Sequence, residues 1–195
     1  AWGGCVWKHL VLFTILYMLT ILLMEKKDKE IYKGLSDTDA LTGLFNRRAF
    51  QAAVDETLLK RIAGVFIFID VDNFKDYNDK YGHANGDLCL KHFAAAMKKC
   101  FPKDSILGRY GGDEFVVYIK NAASDDAHRY MDEFQREISH LIMAGGEHVT
   151  VSASAGGVAF IGGGEDFVSL CRSADNMLYD VKRNGKGTFK MKGAK

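Results

Sequence analysis

The sequence is poor in proline and has almost no charge imbalance. One proline, Pro102, stands against 20 glycines, which fits a compact domain with tight turns. Net charge is +1, from 26 basic and 25 acidic side chains, and that balance gives no reason to expect a nucleic-acid partner. The cysteines at positions 5, 89, 100 and 171 show no CxxC spacing, and no Cys/His group has zinc-site spacing. They read as free thiols in a reducing compartment. No GxxxxGK[ST] is present, so a Walker phosphate loop is excluded. There is no internal repeat and no low-complexity tract. What is present is apolar material, 48% of the residues, enough for a full core and too much for global disorder.

The N-terminal end carries the longest apolar run. Leu10 to Met24 is uncharged and as a helix would reach about 22 Å, short of a hydrocarbon core of roughly 30 Å. Extension back to Val6 gives a span of 6–24, with Lys8 snorkelling and Trp7 at the interface. Lys26, Lys27 and Lys29 then place the C-terminal side in the cytoplasm. The expectation is a membrane helix at 6–24, a cytoplasmic linker at 25–36 and a domain at 37–195. A signal peptide is the competing reading, but Leu23-Met24-Glu25 offers no small-residue cleavage site. A core helix would be amphipathic, and this stripe is apolar all round. The first residue is Ala, which fits a fragment or a processed product with a sensor upstream.

From Asp37 the pattern changes. Asp37-Thr38-Asp39 offers cap chemistry before LTGLFN. Phe50, Val54, Leu58 and Ile62 recur every fourth residue and predict a helix over 46–62. GVFIFI at 64–69 predicts a buried strand. Helices follow at 74–81 and 86–100. A hairpin is predicted from strands 105–110 and 115–120 about Gly111-Gly112. A helix over 125–143, a strand over 148–160, a helix over 167–182 and a strand over 188–191 complete the chain. The order βααββαβαβ implies an α+β fold with an antiparallel-rich sheet and helices packed on it.

Asp70 and Asp72 end the first strand two residues apart, so both side chains take the same face. The hairpin turn adds Asp113 and Glu114. If the hairpin lies beside that strand, the carboxylates converge and need a counter-cation, and oxygen-only ligands suit Mg²⁺. Gly111 and Gly112 permit positive φ and close approach of another backbone or a nucleotide. After Asp72 the chain turns straight into a helix at Asn73-Phe74-Lys75, whose free N–H groups suit phosphate.

At this point six ordered blocks match a known family. They are Asp39 with LTGLFNRR (41–48), FIDVDNFKDYND (68–79), YGHANGD (81–87), GRYGGDEF (108–115), VSASAGG (151–157) and ADNMLYDVKRNGK (174–186). Over about residues 37–190 the chain resembles the GGDEF domains, the diguanylate cyclases. The resemblance implies a cyclase-like or palm-like fold, with a mainly antiparallel five-stranded sheet flanked by helices and preceded here by the membrane helix. It implies condensation of two GTP into cyclic di-GMP and two pyrophosphates, by a homodimer holding one GTP per domain. Mg²⁺ is the expected metal, with Mn²⁺ as the alternative. The setting would be bacterial second-messenger signalling at the inner membrane, the catalytic domain in the cytoplasm and cyclic di-GMP receptors downstream.

The same resemblance implies roles residue by residue. Asp70, the Val71 carbonyl and Asp113 would bind metal, with Asp113 near the attacking 3′-hydroxyl and Glu114 completing the acidic site. Asn78 and Asp87 would read guanine, whose N1–H and N2–H₂ donors suit a carboxylate where adenine has no N1 donor. Phe74 and Lys75 would offer backbone N–H groups to the β- and γ-phosphates. Lys182 and Lys186 would neutralise those phosphates, Lys186 standing where the family usually has Arg and lacking its fork. Gly111 and Gly112 would leave room for the nucleotide. Asp39, Asn46, Arg47, Arg48 and Asp72 read as structural, and His83 as a turn histidine. One departure is plain: at the positions of the family's RxxD product-binding motif stand Pro102 and Ser105, which supply neither the Arg nor the carboxylate. The rival readings are a catalytically silent GGDEF module that binds GTP or a partner, and a cyclase of altered base choice.

Overall fold

The computed structural model describes residues 11–24, 37–142 and 148–192. The chain divides into two compact units, residues 1–36 and 37–195. In the first, residues 11–24 form helix α1, with every side chain exposed. Among the described residues no helix is long and apolar enough to cross a membrane, so the membrane helix of the expected architecture is unsupported. Residues 6–10 of the predicted span and the predicted linker 25–36 lie outside the described residues.

The second unit begins with β1 (Phe45–Asn46), α2 (Arg47–Leu59), β2 (Gly64–Val71), α3 (Phe74–Tyr81) and α4 (His83–Cys100). It continues through β3 (Ile106–Arg109), β4 (Glu114–Lys120), α5 (Ser124–Ile138), β5 (Leu141–Ile142) and β6 (His148–Val149). It closes with β7 (Ala153–Phe160), α6 (Phe167–Arg183) and β8 (Phe189–Lys192). The α+β class holds, but the main sheet has six strands, not five, in the order β1-β3-β4-β2-β7-β8, and β5 pairs with β6 apart from it. The three central pairings are antiparallel, whereas β1 with β3 and β7 with β8 are parallel.

All eight residues of β2 are buried, because both faces of the sheet are covered. Val65, Ile67, Ile69 and Val71 pack in one core with Phe93 and Met97 of α4 and Met131 and Phe134 of α5. Phe66 and Phe68 face a second core with Phe50 and Val54 of α2 and Leu170, Ala174 and Leu178 of α6. This is the alternation a strand imposes. It places Asp70, the next even-numbered residue, on the α6 side.

Several predicted boundaries move for local reasons. Helix α2 starts at Arg47 because the Asn46 side chain caps it, accepting from the Ala49 N–H at 3.0 Å. It stops at Leu59, where the chain turns through Arg61 at φ 53°. Helix α4 begins three residues earlier than predicted, at His83. The predicted helix over 125–143 ends at Ile138, and Leu141–Ile142 turn instead to pair with His148–Val149. That pairing detaches 148–149 from the predicted long strand, leaving β7 to start at Ala153. Cys89, Cys100 and Cys171 are free thiols.

Candidate active site

The acidic residues meet at the end of the sheet where β2 finishes and β4 begins. Asp70 and Glu114 are direct partners in the β2–β4 register. Like charges directly opposite across two strands repel, so this end of the sheet is built against its own stability. The turn between β3 and β4 brings Asp113 beside them. Its carbonyl accepts the Val71 N–H at 3.2 Å, tying the hairpin to the end of β2.

The electrostatics record the crowding. Burial pushes the Asp70 carboxyl above its ordinary value, and the charges of Asp113 and Asp72 push the same way. Lys182 opposes them with an ion pair at 2.8 Å to Asp70 Oδ2, yet the net direction stays upward, so burial wins. Glu114 is raised for like reasons: burial first, then Asp70 and Asp113, with Lys182 countering. Among the described residues no group of three or more His, Cys, Asp or Glu stands ready to hold a metal ion. The donor chemistry nevertheless fits one: a buried carboxylate, Asp70, and two half-buried ones, Asp113 and Glu114, repel each other and are short of positive charge. Such a set matches a Mg²⁺ site that takes two carboxylates and completes its shell with phosphate oxygens and water.

Lys182 reaches Asp70 because α6 lies unusually close to β7. A Cβ on Gly156 would stand 2.2 Å from both the Ala174 carbonyl oxygen and the Leu178 nitrogen. Only a residue without a side chain lets the helix backbone pass there. Lys182 is one turn beyond Leu178 and so shares its face. Gly156 was not singled out from the sequence; its signal was the small-residue run Ser152 to Gly157.

Arg109 is the second residue that sequence reasoning missed, although it sits inside the GRYGGDEF block. Its Nε and Nη2 donate to the Gly112 carbonyl at 3.1 and 2.6 Å, and its Nη1 donates to both Asp39 carboxylate oxygens at 3.1 and 3.2 Å. Asp39 also accepts from the Thr42 N–H and hydroxyl. Burial works against the Asp39 charge, but these donors hold its carboxyl below the ordinary value. The start of the domain is thereby wired to the acidic turn.

The glycines of that turn meet one expectation, open space, and not the other, positive φ. Neither Gly111 nor Gly112 has positive φ, so backbone strain does not demand glycine there. A Cβ on Gly112 would meet nothing within 4 Å, and one on Gly111 only the flexible end of Glu114 at 2.6 Å. The space above Gly112 is open.

The remaining predicted residues line up along α3, α4 and α6. Asn73 heads α3 at φ 55° and makes no side-chain cap, so the first N–H groups of the helix, those of Phe74 and Lys75 among them, are not capped by it. The Asn78 Oδ1 is buried without a hydrogen-bond partner, pressed by Gly86, whose Cβ would lie 1.9 Å from it. Asp87 is exposed on the first turns of α4, and His83 is exposed at its start. Lys186 is exposed and donates to the Asn73 Oδ1 at 2.7 Å. Both lysines expected at phosphates are thus engaged by protein oxygens: Lys182 by Asp70, Lys186 by Asn73. At the RxxD positions, the Ser105 N–H closes a turn onto the Pro102 carbonyl at 3.0 Å.

These features coincide with a defined family. The profile described as "Diguanylate cyclase, GGDEF domain" matches residues 36–188, and the chain belongs to the GGDEF family. It is similar to the cyclic di-GMP phosphodiesterase PdeR of Escherichia coli K12, 33% identical over 168 residues, covering 85% of this chain and 25% of that protein. It is similar to the diguanylate cyclase DgcM of the same organism, 31% identical over 166 residues, covering 83% of this chain and 40% of DgcM. Among solved structures, the GGDEF domain of TpbB (YfiN) from Pseudomonas aeruginosa matches with a TM-score of 0.74 at 29% identity, covering 79% of this chain and 93% of that one. The chain spans between a quarter and a half of the length of the curated relatives it matches.

Proposed function

We propose that this chain is a diguanylate cyclase that joins two GTP molecules into cyclic di-GMP with release of two pyrophosphates. The observation that carries the reading is the convergence of Asp70, Asp113 and Glu114 at one sheet end, short of positive charge, beside an open glycine turn and Lys182. In this reading each 3′-oxygen attacks the α-phosphorus of the other GTP, and the bond to the pyrophosphate oxygen breaks. Asp113 takes the 3′-hydroxyl proton. Asp70, the Val71 carbonyl and Asp113, with Glu114 beside them, would hold Mg²⁺ or Mn²⁺, which when bound supplies charge stabilisation and acidifies the attacking hydroxyl. Asp87 offers its exposed carboxylate to the guanine edge, and Asn78 joins it with an amide whose Oδ1 has no protein partner and would have to turn away from Gly86. The N–H groups of Phe74 and Lys75 receive the phosphates at the start of α3, with Lys182 and Lys186 as cations. Gly111 and Gly112 leave the nucleotide its space.

One domain offers one such half-site, so two copies must face each other about a two-fold axis. We place the chain at the inner membrane with its catalytic domain in the cytoplasm. What supports this is the apolar surface of α1, where Phe13 is 73% and Tyr17 68% exposed, together with the lysines that follow it; a helix apolar on every side is poorly suited to water.

The test is product formation from GTP and Mg²⁺ by the wild type and by Asp113→Ala. The expected result is product from the first and none from the second; equal output would refute the mechanism. A second reading is a silent module that keeps the fold and binds GTP or a partner. It is favoured by the similarity to PdeR, a protein named for cyclic di-GMP breakdown. GTP binding without turnover by the wild type would select it.

A further inference from the structure

Asp72 lies two residues beyond Asp70, in the middle of the acidic region, yet its surroundings are of another kind. Its Oδ1 accepts from the Ser154 hydroxyl at 2.6 Å. Its Oδ2 accepts from the Ser152 hydroxyl at 2.7 Å and from the Gly187 N–H at 3.0 Å. Its own N–H donates to the Ser152 carbonyl at 2.9 Å. Three protein donors satisfy the carboxylate, so it has little left to offer a cation.

The third donor belongs to an improbable loop. Gly185, Lys186 and Gly187 follow one another at φ 119°, 60° and 65°. Glycine takes such angles freely; lysine does not. The end of α6 holds one side of the loop, the Lys186 N–H donating to the Val181 carbonyl at 3.2 Å, and the residue that follows is held from outside the helix. Gly187 N–H reaches both Asp72 and the Ser154 hydroxyl, the latter at 3.2 Å, and Ser154 is fully buried. On the other side, Lys186 Nζ is held by Asn73, itself at φ 55° and heading α3. Two left-handed residues, 113 positions apart in sequence, are therefore locked together at the start of one helix.

We infer that Asp72 is a positioning residue of the phosphate-binding end of the site: it fixes the 185–187 loop through Gly187, and so sets Lys186 against the N-terminus of α3. The identity of the ligand rests on the proposed cyclase reading; the clamp itself does not. It preforms a cationic arm that would otherwise be ordered only when a polyphosphate arrives, which is how preorganisation raises affinity.

Two variants test this in the full chain. Asp72→Asn keeps the shape and puts an amide NH₂ against donors. Ser154→Ala removes the hydroxyl shared by Asp72 and Gly187, at a buried site where alanine fits. Inorganic triphosphate with Mg²⁺ is the probe, titrated by calorimetry beside guanosine, which has no phosphate. The expected result is affinity for triphosphate weakened about tenfold in Asp72→Asn and about threefold in Ser154→Ala, with guanosine unchanged. In turnover, KM for GTP rises about tenfold while kcat and the Mg²⁺ concentration for half-activation hold. A collapse of kcat with a raised Mg²⁺ requirement would make Asp72 a metal ligand and overturn the inference. Equal losses of guanosine and triphosphate binding would mark a merely structural role and overturn it too. If the wild type makes no cyclic di-GMP but the triphosphate difference appears, the cyclase reading fails and the clamp stands.

Discussion

Two carboxylates on the same strand end, Asp70 and Asp72, meet opposite fates. Asp70 faces Glu114 across the register and Asp113 at the turn, with one lysine against them. Asp72 is met by two serine hydroxyls and a backbone N–H, and faces no carboxylate in its own hydrogen bonds. The side towards β4 is left short of positive charge, whereas the side towards β7 is saturated with donors. Unsatisfied charge in a half-buried place costs stability, and a fold keeps it where chemistry uses it; satisfied charge holds segments together.

Four changes would sharpen or break that contrast. The largest effect is expected from Asp70→Asn: product formation from GTP should fall on the order of 10³-fold, about 4 kcal/mol of barrier, with no loss of melting temperature. A large loss of stability instead would place Asp70 on the structural side and erase the distinction. Next is Gly156→Ala, whose new Cβ must push α6 off β7. Thermal melting should show a loss of about 2–3 kcal/mol, and Lys182 should leave Asp70. An unchanged melting temperature would mean that the close approach of α6 is not needed. Third, Arg109→Lys keeps the charge but loses the fork that joins Asp39 to the Gly112 carbonyl. Turnover should drop about tenfold, roughly 1.4 kcal/mol, with little change in melting; wild-type turnover would show that the acidic turn holds its shape unaided.

The smallest effect carries a sign. The Glu114 carboxyl is raised in the folded protein, so the folded state keeps its proton to a higher pH than the unfolded chain. Stability then falls as pH rises from the ordinary glutamate value of 4.5 through the folded value. Glu114→Gln removes that penalty. At neutral pH it should melt about 2 °C above the wild type, a modest shift because solvent screens a half-exposed group, and the gain should vanish below pH 4.5. A gain that grows on acidification would reverse the assignment. A titration with cyclic di-GMP complements these: with Pro102 and Ser105 in place of Arg and Asp, feedback inhibition through that turn is not expected.

Much of this was legible from the sequence, for identifiable reasons. Asp70 was found because β2 is a continuous apolar run that stops at it, and the acidic turn because two glycines precede two acids. What escaped depends on pairings between distant segments. The Arg109 fork joins Asp39, 70 residues away, to the turn, and no local pattern announces it. Gly156 matters only because a helix that follows in the chain returns over it. The apolar period of α5 runs past Ile138 into Leu141 and Ile142, so periodicity alone could not place the helix end or the small β5–β6 sheet. For the same reason β1, two residues long, was missed: it exists only by pairing with β3. For the glycines at 111 and 112 the positive φ that a Gly-Gly turn permits is absent, whereas the room expected above the turn is there at Gly112.

The edges of the main sheet have a further consequence. One edge is β1, only two residues long; the other is β8, whose Lys190 and Lys192 are its exposed positions. A stub and a lysine-bearing strand are poor templates for another chain's backbone. Two copies of this domain can crowd together at high local concentration without zipping edge to edge into aggregates. The way left for two copies to meet is through their loops and helices, which is where the proposed pairing of half-sites would have to form.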